Sequence, residues 1–157
     1  MIERDILENQ AKIVYLGIGS NLGNKKNNIE KAKYKIHQND IKILKCSSYY
    51  ESLSWPNPKK PKFLNIVLKI CTKLKPIELL KICKEIETSL GRKKNYKNAP
   101  RECDIDIIDY KNKKINGIAI LPHPRMHKRN FVLIPLFEIN RAWRHPISKD
   151  DIKSLIF

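Results

Sequence analysis

The sequence predicts an α+β sandwich on the ferredoxin-like, split βαβ plan, an antiparallel-rich sheet with helices packed on one face. Three observations point there. Apolar, β-branched runs of strand length alternate with two helical segments in the order β-α-β-β-α-β. Turn residues punctuate the junctions, with Gly and Asn after the first run and Pro at the start of the second helix. No Pro/Gly/Ser-rich break or low-complexity tract interrupts the 157 residues, so one domain over 1–157 is the economical arrangement, with 1–11 an extension ahead of the first strand.

Each element has its own signal. Lys12 to Ile18 is a β-branched run that ends in the turn Gly19-Ser20-Asn21-Leu22-Gly23-Asn24, and Ile29, Ala32 and Ile36 then recur at helical spacing. Ile41 to Tyr50 reads as the second strand, with Ile41, Ile43 and Tyr49 on one face. Pro56, Pro58 and Pro61 rule out regular structure between Glu51 and Lys62, and a connection of about a dozen residues marks a functional loop. Phe63 to Thr72 is the third strand. Pro76 opens a helix whose stripe is Leu79, Leu80, Cys83, Ile86 and Leu90 and whose stop is Gly91. A basic loop without periodicity follows, then a strand from Asp104 to Tyr110, a weak hairpin over Asn112 to Ile118 and a helix from Phe131 to Ile139. The tail from Arg141 carries no signal.

Composition narrows the function classes. The formal charge of +16 fits a polyanionic partner, nucleic acid or nucleotide, but the Lys excess is spread over every segment rather than gathered in a groove. Met1 to Gln10 has acids and no apolar core of a signal peptide, and no run approaches a membrane span, so a cytoplasmic protein without a membrane partner is expected. Cys46, Cys71, Cys83 and Cys103 lack Cys-x-x-Cys spacing and lie in apolar-patterned segments, which reads as buried reduced thiols.

The most informative stretch is Pro100-Arg101-Glu102-Cys103-Asp104-Ile105-Asp106-Ile107. Acid and apolar residues alternate with the period of a strand, so Asp104 and Asp106 share a face, roughly 6.5–7 Å apart at Cα. Like charges so placed call for a cation, and Mg²⁺ is the natural hard ion; a solvated strand face is the plain alternative. Carboxylates for Mg²⁺, several Arg and Lys, and His123 in a Pro-His-Pro turn suit phosphoryl-type transfer, where catalysis is positioning and charge neutralisation. Neither a Walker A pattern nor a kinase Gly-rich loop is present.

Five ordered blocks carry a resemblance. They are Gly17 to Gly23, Phe63-Leu64-Asn65, Ile86-Glu87 to Gly91-Arg92, Pro100-Arg101 with Asp104 and Asp106, and Leu121 to Met126 continuing through Arg129, Phe131 and Leu136. Together they resemble the 6-hydroxymethyl-7,8-dihydropterin pyrophosphokinases of folate biosynthesis. The resemblance implies Mg²⁺-dependent transfer of the β,γ-pyrophosphoryl unit of ATP to the pterin hydroxymethyl oxygen, with release of AMP. It implies Asp104 and Asp106 as ligands of two Mg²⁺ ions and as catalytic residues with Arg92 and Arg101. Glu87, Arg92, Lys94, Lys97, Arg101, Ile107, His123 and Arg129 fall at ATP-binding positions. Ser52, Leu53, Trp55, Phe63, Asn65 and Phe131 fall at pterin-binding positions, the two phenylalanines sandwiching the ring. The partners expected are ATP and the pterin, with no nucleic acid, and the chain is expected to act as a monomer.

The chain departs from the family pattern in two places. Ser52-Leu53 stands where Thr-Pro is usual, and Lys94, Lys97 and Asn98 stand in a loop where relatives often place Arg and Trp, giving point charges without the bidentate fork. A basic RNA-binding domain on the same plan is the competing reading. It requires an aromatic row on the sheet, whereas the adjacent Tyr49 and Tyr50 point to opposite faces. A homologue that binds without turnover is the third reading, and the intact Asp pair speaks against it.

Overall fold

The computed structural model describes residues 10–93, 96–117 and 119–156. In chain order the elements are β1 (Lys12–Ser20), α1 (Lys25–Gln38), β2 (Lys42–Cys46), β3 (Tyr50–Ser52), β4 (Phe63–Thr72), α2 (Pro76–Ser89), β5 (Asp104–Tyr110), α3 (Asn130–Ile139) and α4 (Ile152–Leu155). Every strand pairing is antiparallel, in the order β2-β4-β1-β5, with β3 beside the start of β4. This is the split βαβ arrangement, with β4 and β1 at its centre.

Local chemistry explains the helix ends. Asn24 caps α1, its side chain accepting from the Asn27 N–H at 3.1 Å. Pro76 needs no hydrogen bond in the first turn of α2, and Glu78 accepts from the Lys75 N–H at 3.1 Å. Gly91, at φ +106°, adopts the left-handed backbone that ends this helix.

Alternation along the strands builds two layers. Val14, Leu16, Ile18, Ile66, Leu68, Ile70, Ile105 and Ile107 meet Ile29, Ala32 and Ile36 of α1 and Leu79, Cys83 and Ile86 of α2. Each fully buried Ile or Leu here contributes about 1.5–3 kcal/mol. On the opposite face Tyr15, Val67 and Ile108 pack under Val132, Leu133 and Leu136 of α3, with Trp143 and Ile152 beyond. Helices α1 and α2 therefore share one face as expected, and α3 covers half of the other, leaving a cavity at the end near Asp104.

A β-bulge sets this division. β1 pairs Leu16 with Ile107 but Tyr15 with Asp109, so Ile108 is an extra residue. Before the bulge Ile105 and Ile107 enter the α1/α2 layer; after it Ile108 turns to α3.

The second strand is not continuous over Ile41 to Tyr50. Ser47 ends β2 by inserting its side chain into the ladder: its Oγ accepts from the Val67 N–H at 2.9 Å, and its own N–H donates to the Val67 carbonyl. Cys83 and Cys103 are buried thiols, whereas Cys46 is exposed on the edge strand and Cys71 is half-buried, because β2 and the end of β4 lack a covering layer on that side. The hairpin expected at 112–118 reduces to a bridge between Ile115 and Leu121. The tail that carried no signal closes the α3 layer: Trp143 is buried, and its indole N–H donates to Asp109 at 2.9 Å. Among the described residues no helix is long and apolar enough to cross a membrane. Of the extension expected at 1–11, residues 1–9 lie outside the described residues.

Candidate active site

Three strands position the site. Gly17 and Gly19 of β1 stand across from Asp106 and Asp104 of β5 on one side and from Val67 and Asn65 of β4 on the other. The row Asn65–Gly19–Asp104 thus spans about 10 Å at the strand spacing of a sheet. Its middle position carries no side chain, and a trough opens between an amide on one strand and a carboxylate on another. A Cβ at Gly19 would stand 3.1 Å from Asn65 Oδ1 and 3.3 Å from the Phe63 ring, so the trough floor has no room for one. Above it lies a cavity of about 560 Å³.

All six residues expected at the pterin end line this cavity: Ser52, Leu53, Trp55, Phe63, Asn65 and Phe131. Asn65 is almost buried, and its amide nitrogen donates to the Tyr50 carbonyl at 3.0 Å and to Ser52 Oγ at 2.9 Å. With both donors committed, it presents Oδ1 as an acceptor. Leu53 and Trp55 sit at the rim and are largely exposed.

The acids and cations line the same cavity. The Arg101 guanidinium stands 5.7 Å from the Phe63 ring centre and that of Arg129 stands 5.5 Å from the Phe131 ring centre. Arg101 thus lies between the Phe63 ring and a carboxylate, its Nη1 3.7 Å from Asp104 Oδ1. Arg101 Nε is buried without a hydrogen-bond partner among the described residues. His123 donates its backbone N–H to the Ile108 carbonyl at 2.8 Å, and its Nδ1 accepts from the Arg125 N–H at 3.2 Å. That contact assigns the proton to Nε2. Burial, then Arg129 and Arg125, push the imidazole down to about 4, so it is neutral at pH 7.

Arg92 links the acids to helix α2. Its Nη1 lies 2.8 Å from Glu87 Oε2 and 3.0 Å from Asp104 Oδ1. Glu87 is buried and also accepts the Ile105 N–H at 2.7 Å, closing the outer edge of β5. Burial outweighs these contacts and holds its carboxyl above the ordinary range. A second cavity of about 680 Å³, lined by Arg92, Lys93, Lys97 and Glu87, shares Asn98 and Arg101 with the first. Of the remaining expected nucleotide contacts, Ile107 points its side chain into the α1/α2 layer, away from both cavities, because it precedes the bulge. Lys94 lies outside the described residues.

The donor set fits Mg²⁺. Asp106 is pushed up to about 7, first by burial and then by Asp104, with Arg129 opposing, so negative charge here is undercompensated. Among the described residues no group of three or more His, Cys, Asp or Glu gathers to hold a metal. Two carboxylates, completed by substrate phosphates and water, are what Mg²⁺ takes in phosphoryl-transfer sites. The pH dependence follows. An unfolded Asp titrates near 4, so between about pH 4 and 7 the folded chain holds a proton that the unfolded chain has lost, and stability falls as pH rises. His123 acts oppositely: its contribution is full above about 6.5 and is lost as pH falls toward 4. The difference between wild type and Asp106→Asn separates them. Without metal, Asp106→Asn is expected to gain stability over wild type progressively from pH 4 to 7, reaching about 4 kcal/mol, by urea denaturation at each pH; a pH-independent difference would contradict the assignment.

Asn21, which in the sequence belongs to a turn and to the Gly17 to Gly23 block with no role of its own, is a joint of the site. Its backbone N–H donates to the Arg101 carbonyl at 3.1 Å, and its Oδ1 accepts the Arg101 N–H at 2.8 Å. Its amide nitrogen donates to Ser54 Oγ and to the Pro61 carbonyl, both at 3.2 Å. One buried side chain thereby fixes Arg101 and the 53–62 loop together. Arg125 and Lys128 also line the first cavity unforeseen. Their signal was proximity to His123 and Arg129, and it requires the turn geometry to be read.

Comparisons with known proteins agree with this arrangement. A family model described as 7,8-dihydro-6-hydroxymethylpterin-pyrophosphokinase matches residues 15–141. The 2-amino-4-hydroxy-6-hydroxymethyldihydropteridine pyrophosphokinase of Aquifex aeolicus is 43% identical over 141 residues, which cover 89% of this chain and 88% of that protein. The folic acid synthesis protein fol1 of Pneumocystis carinii is 42% identical over 149 residues, covering 94% of this chain but 20% of its own length. The wild-type HPPK-DHPS structure of Plasmodium falciparum aligns with a TM-score of 0.73 at 14% identity, over 94% of this chain and 41% of that one, which supports the fold.

Proposed function

We propose, because this chain belongs to the 7,8-dihydro-6-hydroxymethylpterin-pyrophosphokinase family and is a pyrophosphokinase of folate biosynthesis, that it transfers the β,γ-pyrophosphoryl unit of ATP to 6-hydroxymethyl-7,8-dihydropterin with two Mg²⁺ ions. The observation that carries the reading is the row Asn65–Gly19–Asp104, which joins a flat-ring slot to a carboxylate pair across one bare residue. Phe63 and Phe131 stack on the pterin, and Asn65 Oδ1 accepts from its N–H edge. Asp104 and Asp106 would hold Mg²⁺, which would supply screening of the phosphate charge and polarisation of the reacting oxygens. Arg101, Arg129 and Arg92 neutralise charge on the triphosphate, and neutral His123 donates from Nε2. The hydroxymethyl oxygen attacks Pβ, the bond from Pβ to the oxygen bridging it to Pα breaks, AMP leaves carrying that oxygen, and the hydroxyl proton passes to solvent.

The test is nucleotide product analysis with ATP and Mg²⁺, with and without the pterin. Pterin-dependent AMP is the expected result. ADP would mean ordinary kinase chemistry, and no turnover would leave a binding-only homologue.

A further inference from the structure

Trp55 is 66% exposed on the irregular 53–62 loop. Across the cavity mouth, the Arg125 guanidinium stands 5.9 Å from its ring centre, within cation–π range. The two residues approach from opposite rims, one between β3 and β4 and the other after β5, and both line the cavity that holds Phe63, Asn65 and Phe131. Arg125 makes no ion pair among the described residues, so its side chain is directed to an aromatic plane rather than a carboxylate. Its backbone N–H is the group that fixes His123 Nδ1.

We infer that Arg125 is a positioning residue for the reaction: it latches Trp55 over the pterin slot and, through its backbone, ties that cover to the phosphate-side His123. The inference rests on the pterin reading above. A planar guanidinium stacks on an indole in a way an ammonium does so less well, which makes the latch specific to Arg. Closure by Trp55 then adds a third apolar surface at the rim of a slot whose walls are Phe63 and Phe131, and Arg125 holds that surface in place without touching the pterin.

The experiment is steady-state kinetics of Trp55→Ala, Arg125→Gln, the double variant and Arg125→Lys, beside wild type in the same AMP assay. Both positions are exposed, so the variants fold. The expected result is a rise in the pterin KM of about 3- to 30-fold in each single variant, with the ATP KM within about twofold of wild type. The double variant is expected to be no worse than the worse single, and Arg125→Lys to recover part of the loss. Additive effects in the double variant would overturn the latch. So would an Arg125→Gln variant that raises the ATP KM and leaves the pterin KM unchanged, since Arg125 would then be a phosphate contact. Absence of pterin-dependent AMP in wild type would overturn the functional reading beneath it, whereas wild-type turnover with additive variants would overturn the latch alone.

Discussion

Asp104→Asn and Asp106→Asn are each expected to lower pterin-dependent AMP formation by about 10³-fold or more while leaving the fold intact. Both carboxylates face the cavity from β5, across from Gly19 and Gly17, and neither is part of the apolar layers on either side of the sheet. Removing one deprives Mg²⁺ of half its protein ligands, and losing a single charge-stabilising group at such a centre costs about 10²–10³ in rate, with loss of metal adding to that. Stability moves the other way at Asp106, because burial and Asp104 already disfavour its charge. The melting temperature of metal-free Asp106→Asn at pH 8 is therefore expected to exceed that of wild type. An unfolded variant that kept its specific activity when folded would make the acids structural.

Glu87→Ala is expected to show the largest stability effect, about 2–4 kcal/mol, or a fall in melting temperature of about 5–10 °C. The side chain is 2% exposed and accepts from the Ile105 N–H at 2.7 Å and from Arg92 at 2.8 Å. Deleting it leaves an edge-strand N–H without its partner and frees Arg92 from α2, which also weakens the link from Arg92 to Asp104. Glu87→Gln keeps an acceptor for Ile105 and removes a charge that burial already disfavours, so its stability is expected to stay within about 1 kcal/mol of wild type. Thermal denaturation of the two variants checks this. Equal melting temperatures for wild type and Glu87→Ala would show that the buried carboxylate does not hold α2 to β5.

Parts of the site set by local periodicity were legible in the sequence. The two-residue alternation of Asp104 and Asp106 placed both acids on the open face, and Phe63 and Asn65 came to one cavity because they too lie two apart on a strand. Parts set by long-range pairing were not. The bulge at Ile108, which leaves Ile107 in the helix layer, depends on how β1 meets β5 and has no local signature. Glu87 follows Ile86 of the apolar stripe with no local sign of a partner, and only the packing of α2 beside β5 shows that it caps a strand edge and orients Arg92. Asn21 resembled a turn residue until the 100–101 segment and the 53–62 loop were brought to it. The tail after Arg141 lacks periodicity because its contribution is a buried indole on Asp109 and the distant Ile152 rather than an apolar stripe.

The central claim, that Asp104 and Asp106 converge on metal beside a polyphosphate, is tested most directly by counting bound Mn²⁺ by electron paramagnetic resonance. The titration uses α,β-methylene-ATP, whose Pα–C–Pβ link blocks the proposed cleavage. Wild type is expected to bind two Mn²⁺ per chain in its presence, and Asp106→Asn fewer than two at the same metal concentration. An unchanged stoichiometry and affinity in both Asp104→Asn and Asp106→Asn would contradict the account.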